Sequence, residues 1–284
     1  MVREEATRPG AIVQARAGST RLPGKVLKDL PFGCGITVLE QVIRRLQKSR
    51  ELQTIVIATT TNPEDDPIVE IAEKRGVAWF RGSSEDVLAR YYGAAVEFGI
   101  DPVVRVTSDC PCIDPQVVDR CVARFYERKV DYVSNTLVRS FPHGLDTEVF
   151  SFRALQTAYE QATAEPEREH VTPYLIENGE RFSRDCVEAL PEERGPDIRV
   201  TLDTMEDYAL LCVVFDFLYA SDPLFKARDL VALFRKKPYL FEINRRVVQK
   251  RICHSLEEEY EEAIKLLRLQ DLTRVVAWLR EQKI

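Results

Sequence analysis

The chain has 284 residues, 30% of them charged and 45% hydrophobic, with a formal net charge of −6. This length can bury a core of one large or two modest domains, and the acidic balance argues against general nucleic-acid binding. No apolar run approaches the ~20 residues of a membrane helix, and seven scattered cysteines fit reduced thiols in a cytoplasmic protein.

Residues 1–10 lack the apolar core of a signal peptide and read as a loose tail. Ala11-Ile-Val13 then reads as a short buried strand. It runs into Gln14-Ala-Arg-Ala-Gly-Ser-Thr-Arg-Leu-Pro-Gly-Lys25, a glycine-containing, triply basic loop. A loop of this composition after a strand suits a polyanion, above all a nucleoside triphosphate. Gly18 and Gly24 let the backbone approach phosphate oxygens, and Arg16, Arg21 and Lys25 can neutralise them. It is not a P-loop: five residues rather than four separate Gly18 from Gly24, and Val26 follows Lys25 where a magnesium-binding hydroxyl would stand. A dinucleotide fingerprint fails too, because Gly33 and Gly35 are followed by Val38 at the third glycine position.

Further along, residues 55–58, 78–80, 103–106 and 198–202 read as strands. Residues 36–46, 67–75, 87–98 and 115–127 carry apolar spacing or proline starts expected of helices. The alternation predicts a largely parallel sheet covered on both faces, with ligands beyond the carboxyl ends of its strands, where the basic loop lies. From residue 139 to 190 the rhythm changes: 141–146 reads as a loop and 167–178 as one helix ending at Gly179. After Tyr208 the chain is mainly helical, with amphipathic patterns at 256–269 and 275–279. Cys110-Pro-Cys112 has one intervening residue and no second cysteine pair or nearby histidine, so metal and redox roles are not expected of it.

Asp109 and Asp203 each follow a predicted strand. If those strands are neighbours, both carboxylates enter the cleft of the basic loop, where magnesium could use them together with phosphate oxygens and waters. The competing reading makes each a helix cap, since Asp203 precedes Thr204-Met-Glu-Asp207, and the two roles are compatible.

Six motifs in order carry a resemblance: the 14–25 loop, Arg81-Gly-Ser-Ser-Glu-Asp-Val-Leu-Ala-Arg90, Arg105-Val-Thr-Ser-Asp-Cys-Pro111, His143-Gly-Leu-Asp-Thr-Glu148, Arg168-Glu-His-Val-Thr-Pro173 and Thr201-Leu-Asp-Thr-Met-Glu-Asp207. Over residues 11–250 the chain resembles the spore coat polysaccharide biosynthesis protein SpsF group. That group is similar to the cytidylyltransferases that activate acidic sugars such as acylneuraminate and ketodeoxyoctonate. The resemblance implies a Rossmann-like α/β nucleotidyltransferase fold of the glycosyltransferase-A type. The expected division is a tail at 1–10, a nucleotidyltransferase domain at 11–235 with an acceptor-side subdomain at 139–190, and a helical extension at 236–284, of which residues 254–284 lie outside the resemblance.

The resemblance also implies a reaction: a CTP-dependent transfer that activates an acidic sugar as a CMP-sugar, releases pyrophosphate and needs Mg2+. Arg16, Lys25 and Asp109 would be catalytic. Gln14, Ala15, Gly18, Arg21, Arg81, Asp86, Arg90 and Thr107 would join Arg16 and Lys25 around the nucleotide. Asp109 and Asp203 would hold the metal. On the acceptor side, His143, Asp146 and Glu148 are candidates for binding or deprotonating the acceptor or for capping turns, and Arg168 and His170, at the start of a helix, for meeting an acidic acceptor or for lying on an exposed helix face. His143 stands where the group more often has arginine. A homodimer through residues 139–190 is expected, with no nucleic-acid or membrane partner. Two other readings are a glycosyltransferase that consumes a nucleotide sugar, which would favour an Asp-x-Asp motif that Ser108-Asp109-Cys110-Pro111 lacks, and a non-catalytic nucleotide-binding protein, which would be expected to have lost a phosphate cation or a metal carboxylate.

Overall fold

In the computed structural model, residues 8–247 and 256–281 are described. The chain divides into two compact units, Met1–Ile243 and Asn244–Ile284. The first is built on a seven-stranded sheet. In chain order its strands are β1 Gly10–Gln14, β2 Thr54–Thr60, β3 Ala78–Gly82, β4 Val103–Thr107, β5 Tyr132–Ser134, β6 Glu148–Phe150 and β7 Arg184–Cys186. Their spatial order is β3-β2-β1-β4-β6-β5-β7. β6 runs antiparallel to both its neighbours, β4 and β5, and the remaining pairs are parallel.

Helices cover both faces, as the alternating pattern requires. On one face Ala11, Val13, Ile57 and Val104 pack with residues of α1 Val38–Leu46, α2 Asp66–Lys74, α4 Pro115–Arg128, α8 Met205–Leu218 and α9 Ala227–Lys236. On the other, Ile12, Val56, Ala58 and Val103 pack with residues of α3 Val87–Phe98 and α5 Phe152–Gln161. The two lists follow from the period of two along β1, which sends Val13 to one core and Ile12 to the other. The helix starts are locally encoded. Thr37 and Glu40 form a capping box on α1, and Asp86, Asp114, Ser151 and Thr204 accept hydrogen bonds from the first turns of α3, α4, α5 and α8.

Two expectations are corrected. Residues 167–178 are not one helix but α6 Glu165–His170 and α7 Pro173–Glu177. Between them Val171 has φ 73°, and Pro173 lacks the N–H that a continuous helix would need. Residues 198–202 are not a sheet strand, because β6 occupies the place beside β4. The segment is extended but pinned to loops: His143 N donates to Ile198 O and Val200 N to His143 O, both at 2.8 Å, and Leu202 N donates to Asp109 O at 2.9 Å. Gly144 permits this approach. Its φ is 113°, and a Cβ there would lie 2.7 Å from the Val200 carbonyl carbon.

The second unit carries α10 Leu256–Leu269 and α11 Thr273–Glu281, which pack on one another. No helix among the described residues is long and apolar enough to cross a membrane.

Candidate active site

The basic loop leaves β1 at Gln14, which lies in register with Ala58 of β2 and Thr107 of β4. Buried Asp65, at the foot of α2, ties it down. One carboxylate oxygen accepts from Ala17 N at 2.6 Å, and the other accepts from the backbone and hydroxyl of Thr60. Gly24 N donates back to Ala17 O at 3.0 Å, closing the loop. Gly24 itself is left-handed, φ 64°, and turns the chain into the short 3-10 turn Lys25–Leu27.

That turn sends Lys25 across the ends of the strands. Its Nζ lies 2.8 Å from Asp109 Oδ2 and 2.9 Å from Asp203 Oδ1. One ammonium thus joins two carboxylates 94 positions apart in sequence, counted from 109 to 203. Asp109 follows the end of β4, and Asp203 is delivered by the pinned 198–202 segment rather than by an adjacent strand. Arg21 reaches the same Asp203 Oδ1 at 3.0 Å, and Arg199 Nη2 donates to Asp203 Oδ2 at 2.8 Å. Arg199 is anchored in turn by Asp207, which no solvent reaches and which also accepts from Asp203 N at 3.0 Å.

This charge arrangement sets the protonation states. Burial alone would raise the pKa of Asp203, but Lys25, helped by Arg199 and Arg21, outweighs it and brings the group to about 2. Burial opposes ionisation of Asp109 as well, and Lys25 overcomes it so that its pKa falls. Lys25 is desolvated too, yet its two carboxylate partners raise its pKa. All three groups are therefore charged at neutral pH.

The 143–146 loop reaches the same network. His143 Nδ1 lies 3.2 Å from Arg199 Nη1, and Nε2 lies 3.7 Å from Asp146 Oδ2. Arg139 donates to both oxygens of Asp146, at 2.5 and 3.1 Å. Burial lowers the pKa of His143, with Arg139 and Arg199 adding to the effect and Asp146 opposing it. A neutral imidazole also lets Nδ1 accept from the guanidinium.

The other expected residues stand outside this network of charges. Arg81 pairs with Asp66 at the start of α2. Asp86 caps α3 and binds Arg168, which also donates to Tyr159 O at 2.7 Å. A nucleotide candidate and an acceptor candidate thus hold each other. Glu148 is buried against Arg105 and the Tyr132 hydroxyl, so its carboxylate is engaged within the fold. His170 lies at the end of α6, 4.0 Å from Glu169. The Thr107 hydroxyl faces Cys110 Sγ at 3.2 Å. Ala15 is buried, and a Cβ at Gly18 would lie 2.7 Å from Glu64 Oε1. Arg16 is exposed, and Arg90 is buried with Nε and Nη1 unpartnered. Sequence reading missed Asp65, Arg139 and Arg199 as site builders. Asp207 stood inside a quoted motif, four residues after Asp203, but its service to Arg199 depends on tertiary placement.

The donor set of Asp109 and Asp203 fits magnesium. Both are ionised, both converge on one cation, and two carboxylates leave room for phosphate oxygens and waters. Among the described residues no group of three or more His, Cys, Asp or Glu is arranged to hold a metal, so the ligand would have to supply the remaining donors.

A basic loop and paired aspartates at the carboxyl ends of β1 and β4 define a nucleotidyltransferase-type α/β protein. The chain belongs to the cytidylyltransferase family, whose model matches residues 10–283. It is 38% identical over 242 residues to the uncharacterized protein MJ1063 of Methanocaldococcus jannaschii, covering 84% of this chain and 95% of the relative. It is 32% identical to the spore coat polysaccharide biosynthesis protein SpsF of Bacillus subtilis, covering 80% and 94%. The solved structure of a cytidylyltransferase from Leptospira borgpetersenii superimposes with a TM-score of 0.77 at 35% identity, covering 87% of this chain and all of that one.

Proposed function

We propose that this cytidylyltransferase transfers CMP from CTP to a hydroxyl of an acidic sugar and releases pyrophosphate, supplying a CMP-sugar for surface glycan synthesis in the cytoplasm. The observation that carries this reading is the meeting of Lys25, Arg21, Asp109 and Asp203 at the carboxyl ends of β1 and β4. The acceptor oxygen attacks the α-phosphorus in line and its hydroxyl proton passes to solvent, while the bond from that phosphorus to the β-phosphate bridging oxygen breaks and pyrophosphate leaves with the electron pair.

Such a transfer depends chiefly on positioning and charge stabilisation. Arg16, Arg21 and Lys25 neutralise phosphate oxygens, and the backbone of the 14–25 loop lies against the nucleotide. Magnesium held by Asp109 and Asp203 would supply electrostatic stabilisation of the phosphates. Arg139 and His143, beside Asp146, offer donors to the sugar's hydroxyls and carboxylate. The test is pyrophosphate release with each of four nucleoside triphosphates against a panel of acidic sugars and neutral hydroxyl acceptors. Release confined to CTP with an acidic sugar is expected; release only with neutral acceptors would overturn the acidic-sugar assignment.

A further inference from the structure

We propose that Lys25 holds the place of the divalent cation, so that metal joins Asp109 and Asp203 only when a triphosphate draws the Lys25 ammonium onto its own oxygens. The inference rests on the cytidylyltransferase reading above for the identity of the triphosphate, but its central claim concerns this chain's own residues. The ammonium is within ion-pair distance of both carboxylates, at 2.8 and 2.9 Å, through one oxygen of each. A divalent ion bound to both oxygens would sit in the space Nζ fills.

The wider charge count points the same way. Three carboxylates, Asp109, Asp203 and Asp207, face three cations, Lys25, Arg21 and Arg199. The cluster is neutral, so a bare divalent ion gains little by entering and would have to displace an ammonium already in ideal contact. A triphosphate changes the balance. Its oxygens offer Lys25 new partners, which frees both carboxylates, and its negative charge favours an arriving cation. Nucleotide and metal then promote each other's binding by the same factor. The position of Lys25 on a 3-10 turn held by Gly24 supports such a transfer, since a long flexible stem can swing its ammonium while the turn stays put.

The test uses Mn2+ as the probe, followed by electron paramagnetic resonance of the free ion, on the intact chain without nucleotide. Wild type should bind Mn2+ weakly. Lys25→Met, which keeps the stem and removes the charge, should bind it at least about tenfold more tightly. Lys25→Gln serves as a second uncharged variant should the methionine variant fail to fold. Adding Asp109→Asn to either should abolish the gain. Equal Mn2+ affinity in wild type and the folded Lys25 variant would overturn the proposal, as would a gain that survives Asp109→Asn. So would the failure of every nucleoside triphosphate to raise Mn2+ binding by wild type above the share that the nucleotide itself takes. Failure of the functional reading registers separately: another triphosphate, and not CTP, would then raise it, while the comparison made without nucleotide would stand.

Discussion

Arg199 grips Asp207 in a side-on pair, Nε to Oδ1 and Nη2 to Oδ2, each at 3.0 Å, with the Asp207 carboxylate sealed from solvent. The same carboxylate accepts from the backbone of Asp203 and Thr204, so it fixes both the guanidinium and the chain that carries the metal candidate. Asp207→Ala leaves Arg199 without its buried counter-charge and two backbone N–H groups without an acceptor. Breaking a buried pair in this way costs about 3–5 kcal/mol. Urea unfolding should show that loss together with reduced turnover; a change below about 1 kcal/mol would place Asp207 outside the scaffold of the site.

Arg16 should separate function from stability. It is exposed on the loop after β1, where its side chain contributes little packing. A charge-assisted phosphate contact is worth roughly 1.5–3 kcal/mol. Arg16→Ala is therefore expected to melt like wild type while turnover falls at least about tenfold. Near-normal turnover would remove Arg16 from the phosphate site.

The pH dependence follows from two groups with depressed pKa values. Asp203, at about 2 in the folded chain, stabilises the fold above its unfolded value near ~3.9, and that contribution disappears as pH falls toward 2. His143 is held neutral by burial and by the nearby Arg139 and Arg199, against Asp146. Its folded pKa lies below the ordinary 6.5, so the unfolded chain takes up a proton first and stability declines as pH drops below that value. His143→Asn should flatten the decline between about pH 6.5 and 5, whereas Asp203→Asn should flatten only the limb between about pH 4 and 2. Chemical denaturation across pH measures both. An unchanged upper limb in His143→Asn would show that the imidazole is not its source.

Much of the fold was legible because it is local. The apolar runs of β1, β2, β3 and β4 and the proline starts of α2 and α4 lie in contiguous residues, so period and helix-start chemistry identify them. β5, β6 and β7 were not read because each has three residues, too few for a period of two to register. Residues 198–202 alternate like a strand but lose their sheet place to β6, a contest decided by tertiary packing. The loop and the two aspartates were read from sequence as facing one cleft, and the contacts of Lys25 bring them together. Asp65 and Arg199 were not so read, since a carboxylate that straps a loop 48 positions away and a guanidinium that aligns another carboxylate acquire those roles only on folding.

Assembly is open to direct measurement. Residues 139–190 include half-exposed Leu190, and Val138 beside them is 49% exposed. The resemblance to sugar cytidylyltransferases leads to the expectation of a homodimer through this region. Light scattering at micromolar concentration should give twice the chain's 32.6 kDa. A monomer mass would exclude a stable dimer.

Arg90 should show the opposite signs in stability and activity. Its side chain is 2% exposed, its Nε and Nη1 have no hydrogen-bond partner, and its stem packs so tightly that a Cβ at Gly82 would lie 2.8 Å from Cγ. Burial lowers its pKa, and the field of Arg16 lowers it further while Asp65 and Asp86 oppose. An incompletely paired buried cation costs stability, and at a place where the charges of Arg16 and Asp65 are felt an anionic nucleotide would offset that cost. Arg90→Met fills a similar volume without charge. Urea melts should show it equal to wild type or more stable, by up to about 3 kcal/mol, while the KM for CTP rises at least about tenfold as the attraction is lost. A destabilised variant with an unchanged KM would make Arg90 a packing residue and remove it from the nucleotide site.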